Sequence, residues 1–141
     1  MSAMSATEDQ RKAHARPQID RAAAAAASLV TSYYQKMDTH RASLKTLYKE
    51  SSAISWNGHA FTGPAFREFY LNMPASEHRI EASDAHPVLA SQSPETVMVT
   101  TFGTVKFTNE RNPRKFHSTF FLTQEPGKSE LYIASQCFRW V

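Results

Sequence analysis

From Val97 to Trp140 the chain reads as three consecutive strands with apolar side chains on both faces, and no other feature constrains the fold as strongly. Successive side chains of a strand point to opposite sides. In the first strand Val97, Val99, Thr101, Gly103, Val105 and Phe107 share one face, and Met98, Thr100, Phe102, Thr104 and Lys106 the other. In the second, Phe116, Ser118, Phe120 and Leu122 oppose His117, Thr119, Phe121 and Thr123. In the third, Tyr132, Ala134, Phe138 and Trp140 oppose Leu131, Ile133, Ser135, Cys137 and Arg139. An antiparallel sheet ordinarily leaves one face in water, so a sheet apolar on both needs two covers. The segment before Ala75 supplies helices for one face only. The second cover is expected to be a partner protein.

A chain of 141 residues fits one domain, able to bury roughly 68–70% of its unfolded surface. Residues 1–16 are small, polar and charged without periodicity and read as a disordered tail, leaving 17–141 as the domain. The net charge of +3 and pI near 9.1 permit an acidic or nucleic-acid partner without requiring one. Cys137 is the single cysteine, so no internal disulfide forms, the compartment reads as intracellular, and the thiol is expected to pack as a small hydrophobe. No apolar run approaches the ~18 residues of a membrane span, and the charged start Glu8, Asp9, Arg11, Lys12 is unlike a secretory signal.

Pro17 suits a first helical turn, and from it Ile19, Ala23, Ala26, Val30, Tyr33, Tyr34 and Met37 recur at three- and four-residue steps, predicting a long amphipathic helix. A short second helix follows Asp38 or Thr39 as its N-cap, with Leu44, Leu47 and Tyr48 inward. Asn57-Gly58 between apolar runs marks a tight hairpin, because both turn positions need positive φ. Gly63-Pro64 opens a third helix carrying Phe66, Phe69, Tyr70 and Met73, which Pro74 stops. Strands are expected at 77–90, 95–108, 114–124 and 130–140, with turns at Ser93-Pro94, Asn109–Pro113 and Pro126-Gly127. Helices first and a long antiparallel sheet afterwards make an α+β fold, three N-terminal helices on one sheet face.

Little in the chain points to catalysis. The six histidines, His14, His40, His59, His78, His86 and His117, lack ligand spacing, so no metal is expected. Four glycines cannot build a phosphate-cradling loop, and no G-x-S-x-G elbow is present, so no cofactor is expected either. The catalytic alternative is a pocket enzyme of the ketosteroid isomerase or dehydratase type, its cavity lined by Tyr34, Trp56, Tyr70, Phe120 and Phe138. It would need a carboxylate of raised pKa beside a tyrosine. Asp38 is the nearest candidate, at a position where a cap is expected.

Two sets of charges remain. Lys106, Arg111, Arg114 and Lys115 surround one later loop against Glu110 alone; they are candidate RNA contacts, and a solvated hairpin tip explains them equally well. Asp84 and Arg139 sit within strands rather than loops. Charges on an apolar face lie at a rim or have partners. They either pair with each other or meet opposite charges across an interface.

Taken in order, Tyr33-Tyr34 to Met37-Asp38, Leu47-Tyr48, Trp56-Asn57-Gly58 with Gly63, and Phe69 through Met73-Pro74-Ala75-Ser76-Glu77 resemble the nuclear transport factor 2-related export proteins. The likeness continues through Asp84, Pro87-Val88, Gly103-Thr104-Val105-Lys106-Phe107 and Ile133-Ala134-Ser135 into Cys137-Phe138-Arg139. Members of that family are small subunits of the messenger-RNA export receptor. The resemblance implies a cone-like fold, nuclear transport factor 2-like, whose open sheet face packs on a larger subunit of the TAP/Mex67 type as a heterodimer. That face would hold Thr100, Phe102, His117, Thr119, Phe121 and Cys137, with Asp84 and Arg139 in ion pairs with the partner. It also implies nucleus, nuclear pore and cytoplasm as the location, and phenylalanine-glycine nucleoporins reached through the complex rather than a membrane. The runner-up within the fold is a homodimeric carrier of Ran-GDP, which is acidic where Ran docks. Asn57 stands where that relative has a glutamate, and the loop Asn109–Pro113 lacks its aspartates, so Ran carriage is disfavoured.

Overall fold

The computed structural model describes the backbone of residues 2–88 and 96–141, and the side chains of these from Asp20 onward. Helix α1 spans Ser2–Thr39, a 3-10 helix Arg41–Leu47, β1 Tyr48–Trp56, β2 His59–Thr62 and α2 Gly63–Leu71. Strands β3 (Ser76–Pro87), β4 (Val97–Phe107), β5 (Arg114–Gln124) and β6 (Leu131–Trp140) complete the chain. The helix thus begins upstream of Pro17, through a stretch with four alanines and two arginines, residues that propagate helix well. The expected tail falls where side chains lie outside the described residues, as does the expected turn at Ser93-Pro94.

The six strands form one sheet in the order β2-β1-β6-β5-β4-β3. Strands β3 to β6 meander antiparallel from the far edge, which brings β6 home beside β1 running parallel to it. The sheet is therefore mixed rather than antiparallel throughout. The cause is connectivity: α2 carries the chain from one edge to the other, and three reversals return it in the direction of β1. β1 also starts at Tyr48, earlier than the hairpin signal marks, because its first half pairs β6 across a register shift. The hairpin itself is as expected, with Asn57 at φ 51° and Gly58 at φ 87° in a type I′ arrangement.

The helices cover one sheet face. Ala26, Val30, Tyr33, Tyr34 and Met37 of α1 bury against Val97, Val99, Phe116, Phe120 and Leu122, while Phe66 and Tyr70 of α2 close over Tyr48, Ile54 and Trp56. Trp56 stacks on Phe138 at 3.7 Å and 4°, across the parallel join. Among the described residues the buried side-chain polar groups of this core are paired, apart from the Tyr70 hydroxyl and Ser118 Oγ. Tyr34 Oη and Thr101 Oγ1 share a bond of 2.7 Å, Tyr48 donates to Gln136 Oε1 (2.5 Å), and Gln136 Nε2 donates to Tyr33 Oη (3.1 Å). Burial pushes the Tyr33 pKa up to about 12, so it stays a neutral partner at any physiological pH.

In β6 the alternation slips. A register shift beside the Phe121/Leu122 pairings turns Ile133 into the core opposite Leu122 and leaves Ser135, Cys137 and Arg139 outward. Ile133 is accordingly a core residue and not a neighbour of Cys137 on the outer face, as simple alternation had it.

Gly103 shows how closely the edge packs, since a Cβ there would stand 2.2 Å from the Arg79 carbonyl oxygen. Replacing Gly103 by Ala forces β3 away from β4 and is expected to cost about 1–3 kcal/mol. Chemical denaturation of the variant against wild type measures it, and an unchanged midpoint would contradict the packing.

Candidate protein interface and the cavity behind it

The sheet face opposite the helices is uncovered, and its residues fall into rows set by strand register. One row runs Asp84, Thr100, Thr119, Cys137; the next runs Ala82, Phe102, His117, Arg139; a third runs His86, Met98, Phe121, Ser135. All eight residues assigned to the interface lie on this one face. Phe102 is 46% exposed and Phe121 38%, the rings of Phe102 and His117 lie 5.8 Å apart, and Thr100 and Thr119 are half-buried around them. Cys137 is exposed in this chain rather than packed. Ala82, His86, Met98 and Ser135 belong to the same patch and were not singled out. A register shift between Ile80 and Ala82 hides the phase of β3 from any reading by alternation.

Asp84 and Arg139 lie on opposite sides of this patch, on β3 and β6 and in neighbouring rows. β3 and β6 are separated by β4 and β5, which at about 4.8 Å per step puts the two backbones roughly 14 Å apart. Pairing with each other is thereby excluded, and neither takes part in an ion pair among the described residues. The face is thus apolar and hydroxylic at its centre, with a carboxylate on the β3 side and a guanidinium on the β6 side.

The basic loop lies at the end of the sheet. Lys106, Arg111 and Lys115 are exposed, whereas the Arg114 guanidinium sits 3.9 Å over the Trp140 ring, a cation–π contact that holds one of the four in place.

On the helix side, a cavity of about 250 Å³ opens between α1 and β3, lined by residues including Tyr34, Asp38, His78 and Ile80. Of the side chains expected around a cavity only Tyr34 lines it; Trp56, Tyr70, Phe120 and Phe138 are buried core. Asp38 is not a helix cap. The 3-10 helix has His40 at that position with no side-chain bond, and Asp38 instead reaches β3. It accepts from Ser76 Oγ (2.8 Å), from the His78 backbone N–H (2.7 Å) and from His78 Nδ1 (2.6 Å). Burial alone would raise its pKa, but the bonds from His78 and Ser76 and the charge of His78 together lower it. That is opposite to what a proton-abstracting carboxylate requires. Among the described residues no cluster of histidine, cysteine and carboxylates could hold a metal, and no helix is long and apolar enough to cross a membrane.

Comparison with known proteins adds four findings. The family profile of the nuclear transport factor 2 (NTF2) domain matches residues 25–140. Human NTF2-related export protein 2 is 39% identical over 127 residues, covering 86% of this chain and 89% of that protein. Among solved structures, nuclear transport factor 2 from Cryptosporidium parvum superposes with a TM-score of 0.70 at 23% identity, covering 89% of this chain and 96% of that one. The Candida albicans Mtr2–Mex67 M domain complex gives 0.63 at 17% identity, covering 80% and 92%.

The Asp38 arrangement has a pH signature. Because the native pKa is lowered from an unfolded value near 3.9, its contribution is fully present above about pH 4 and is lost as pH falls through the native value. Asp38→Asn should therefore cost about 1–3 kcal/mol at neutral pH. The gap between variant and wild type should narrow on acidification below pH ~4. Thermal melts across that range decide it; a gap independent of pH would show that the carboxylate is not held ionised.

Proposed function

Because the chain belongs to the NTF2 domain family, we propose that it is the small, non-catalytic subunit of a heterodimeric nuclear export receptor for messenger RNA. The observation that carries this reading is the uncovered sheet face, where Phe102 and Phe121 stand exposed on the same face as Asp84 and Arg139. A monomer that leaves such a patch in water invites association. The larger subunit, of the TAP/Mex67 type, supplies the second layer. Its own apolar face packs on Thr100, Phe102, His117, Thr119, Phe121 and Cys137, and opposite charges on it meet Asp84 and Arg139. The relatives named as export proteins and the Mtr2–Mex67 complex of the same fold support that assignment.

The cavity supports a non-catalytic role, since Asp38 there is saturated with donors and its pKa is lowered. Ran carriage lacks the carboxylates it needs: Asn57 Oδ1 accepts from the Trp140 backbone N–H at 2.9 Å, a structural duty in place of an acidic one. In the assembled receptor, phenylalanine-glycine nucleoporins are engaged through the larger subunit. Lys106, Arg111 and Lys115 stand free to meet RNA phosphates, with Arg114 held on its tryptophan. The complex then shuttles between nucleus and cytoplasm through the pore.

Charge reversal tests the interface. Asp84→Arg and Arg139→Asp should each weaken the heterodimer by about 2–5 kcal/mol, visible as dissociation in gel filtration after co-expression. An acidic replacement of the partner's facing arginine should rescue Asp84→Arg. Co-elution of both single variants with unchanged affinity would remove the charges from the interface.

The loop is tested separately. Glutamate at Arg111, Arg114 and Lys115 together should flatten the salt dependence of RNA binding by the complex, by about one unit of slope per lost phosphate contact. Assembly should be unaffected, and an unaltered slope would leave the loop a solvated tip.

A further inference from the structure

The cavity between α1 and β3 lies on the flank of the cone, outside the packed interior that Trp56, Phe120 and Phe138 fill. Its walls are largely apolar: Val30 and Tyr34 are buried beneath it, and Ile80 is 36% exposed beside it. Most of its polar groups are already engaged. Asp38 holds three donors, the Tyr34 hydroxyl is bonded to Thr101 in the core, and the Thr31 hydroxyl donates to the Ala27 carbonyl at 3.0 Å. Gln35 and Ser83 are exposed and meet water.

His78 is the exception. Its side chain is only 7% exposed and its Nδ1 is bonded to Asp38, but its Nε2 has no hydrogen-bond partner among the described residues. Among those residues the side-chain polar atoms that are both partnerless and sealed from solvent are the Tyr70 hydroxyl and Ser118 Oγ. Nε2 is neither, so it keeps accessible surface, and that surface gives onto the cavity His78 lines. The carboxylate accepts the Nδ1 proton, which leaves Nε2 of the neutral imidazole a bare lone pair. The negative charge behind the ring polarises it and strengthens that acceptor. An acceptor of this kind, set among apolar walls, asks for a donor.

From this geometry we propose that the cavity binds a small, mainly apolar molecule of the phenol class, its hydroxyl donating to His78 Nε2 and its ring seated on Val30, Tyr34 and Ile80. Carbonyls and carboxylates bring no proton to a bare nitrogen. A cation would be stripped of water among apolar walls while Asp38 is already saturated. A phenol is a stronger donor than an aliphatic alcohol, and it carries its own apolar ring. At about 250 Å³ the cavity falls just short of drug-sized sites, roughly 300–1,000 Å³, which limits the occupant to one or two rings. Because the cavity is on the helix side, a protein on the outer face leaves it open.

The test uses the purified full chain in whichever assembly it forms, so that it does not depend on the identity of a partner. Binding of beta-naphthol and of its methyl ether, which has the same rings without the donor, is followed by calorimetry and by nitrogen NMR of the imidazoles. Beta-naphthol should saturate and bind about tenfold more tightly than the ether. It should shift the His78 Nε2 resonance and leave that of the exposed His59 in place. In His78→Asn, whose amide can still donate to Asp38, the two probes should bind equally, because only the bond to Nε2 tells them apart. Ile80→Trp, which fills the mouth from an exposed position, should abolish binding of both. Absence of saturation, equal affinity of the two probes for the wild type, or a preference for beta-naphthol that survives His78→Asn would each overturn the assignment, as would undiminished binding to Ile80→Trp.

Discussion

The parallel docking of β6 beside β1 is the join on which the rest of this structure depends. Strands that run parallel need a long crossover, and nearly the whole C-terminal sheet serves as that crossover. The join is held by groups that cannot slide independently: Trp56 lies flat on Phe138, Asn57 donates its N–H to the Phe138 carbonyl, and its side chain accepts from Trp140. Ser52 adds a bond to the Ile133 carbonyl at 2.6 Å near the other end of the paired segment. Shifting β6 by one residue would carry Phe138 to the outer face and Cys137 into the core, so these contacts decide which residues a partner can meet.

Polar chemistry inside the cone supports the same join. Tyr33, Tyr48 and Gln136 form a chain from α1 through β6 to the start of β1, and every link is satisfied within the core. Such a network tolerates only one arrangement of the three elements, because any slip leaves a buried amide or hydroxyl without a partner. Arg41 does similar work at the rim, donating to the carbonyls of Tyr70, Met73 and Pro74 past the end of α2, where helix carbonyls would otherwise be orphaned. The C-terminal end of α2 is thereby tied to the end of α1.

What could be read from the sequence was whatever local chemistry dictates. Asn57-Gly58 announces its turn because few other pairs accept positive φ twice, and the stripe from Ala26 to Met37 announces its helix because burial follows the 3.6-residue period. The outer face was legible for β4 and β5, where alternation runs unbroken over the paired residues. In β6 it held for Ser135, Cys137 and Arg139 and failed at Ile133, and in β3 it found Asp84 but not Ala82 or His86, because register shifts change the phase without any residue type that signals them. Asp38 was misread for a different reason: a carboxylate at a helix end looks like a cap, and only tertiary structure brings Ser76 and His78 within reach. The parallel pairing was equally hidden, since direction depends on how many reversals separate two strands rather than on the residues of either.

The distribution of charge on the open face carries an argument about what covers it. Water or a flexible peptide would place no demand on the sides of the patch, yet Asp84 and Arg139 stand on opposite sides of it, with threonines and aromatic rings between them. A second sheet laid face to face sits about 10 Å away and crosses at a modest angle set by the twist of both. Two charges separated by the width of the patch then resist both translation and rotation of that sheet, which a central cluster could not do. Because the signs differ, an identical copy meets both demands only by placing Asp84 of each chain opposite Arg139 of the other across a two-fold axis, whereas a non-identical partner needs only one acid and one base at the right separation.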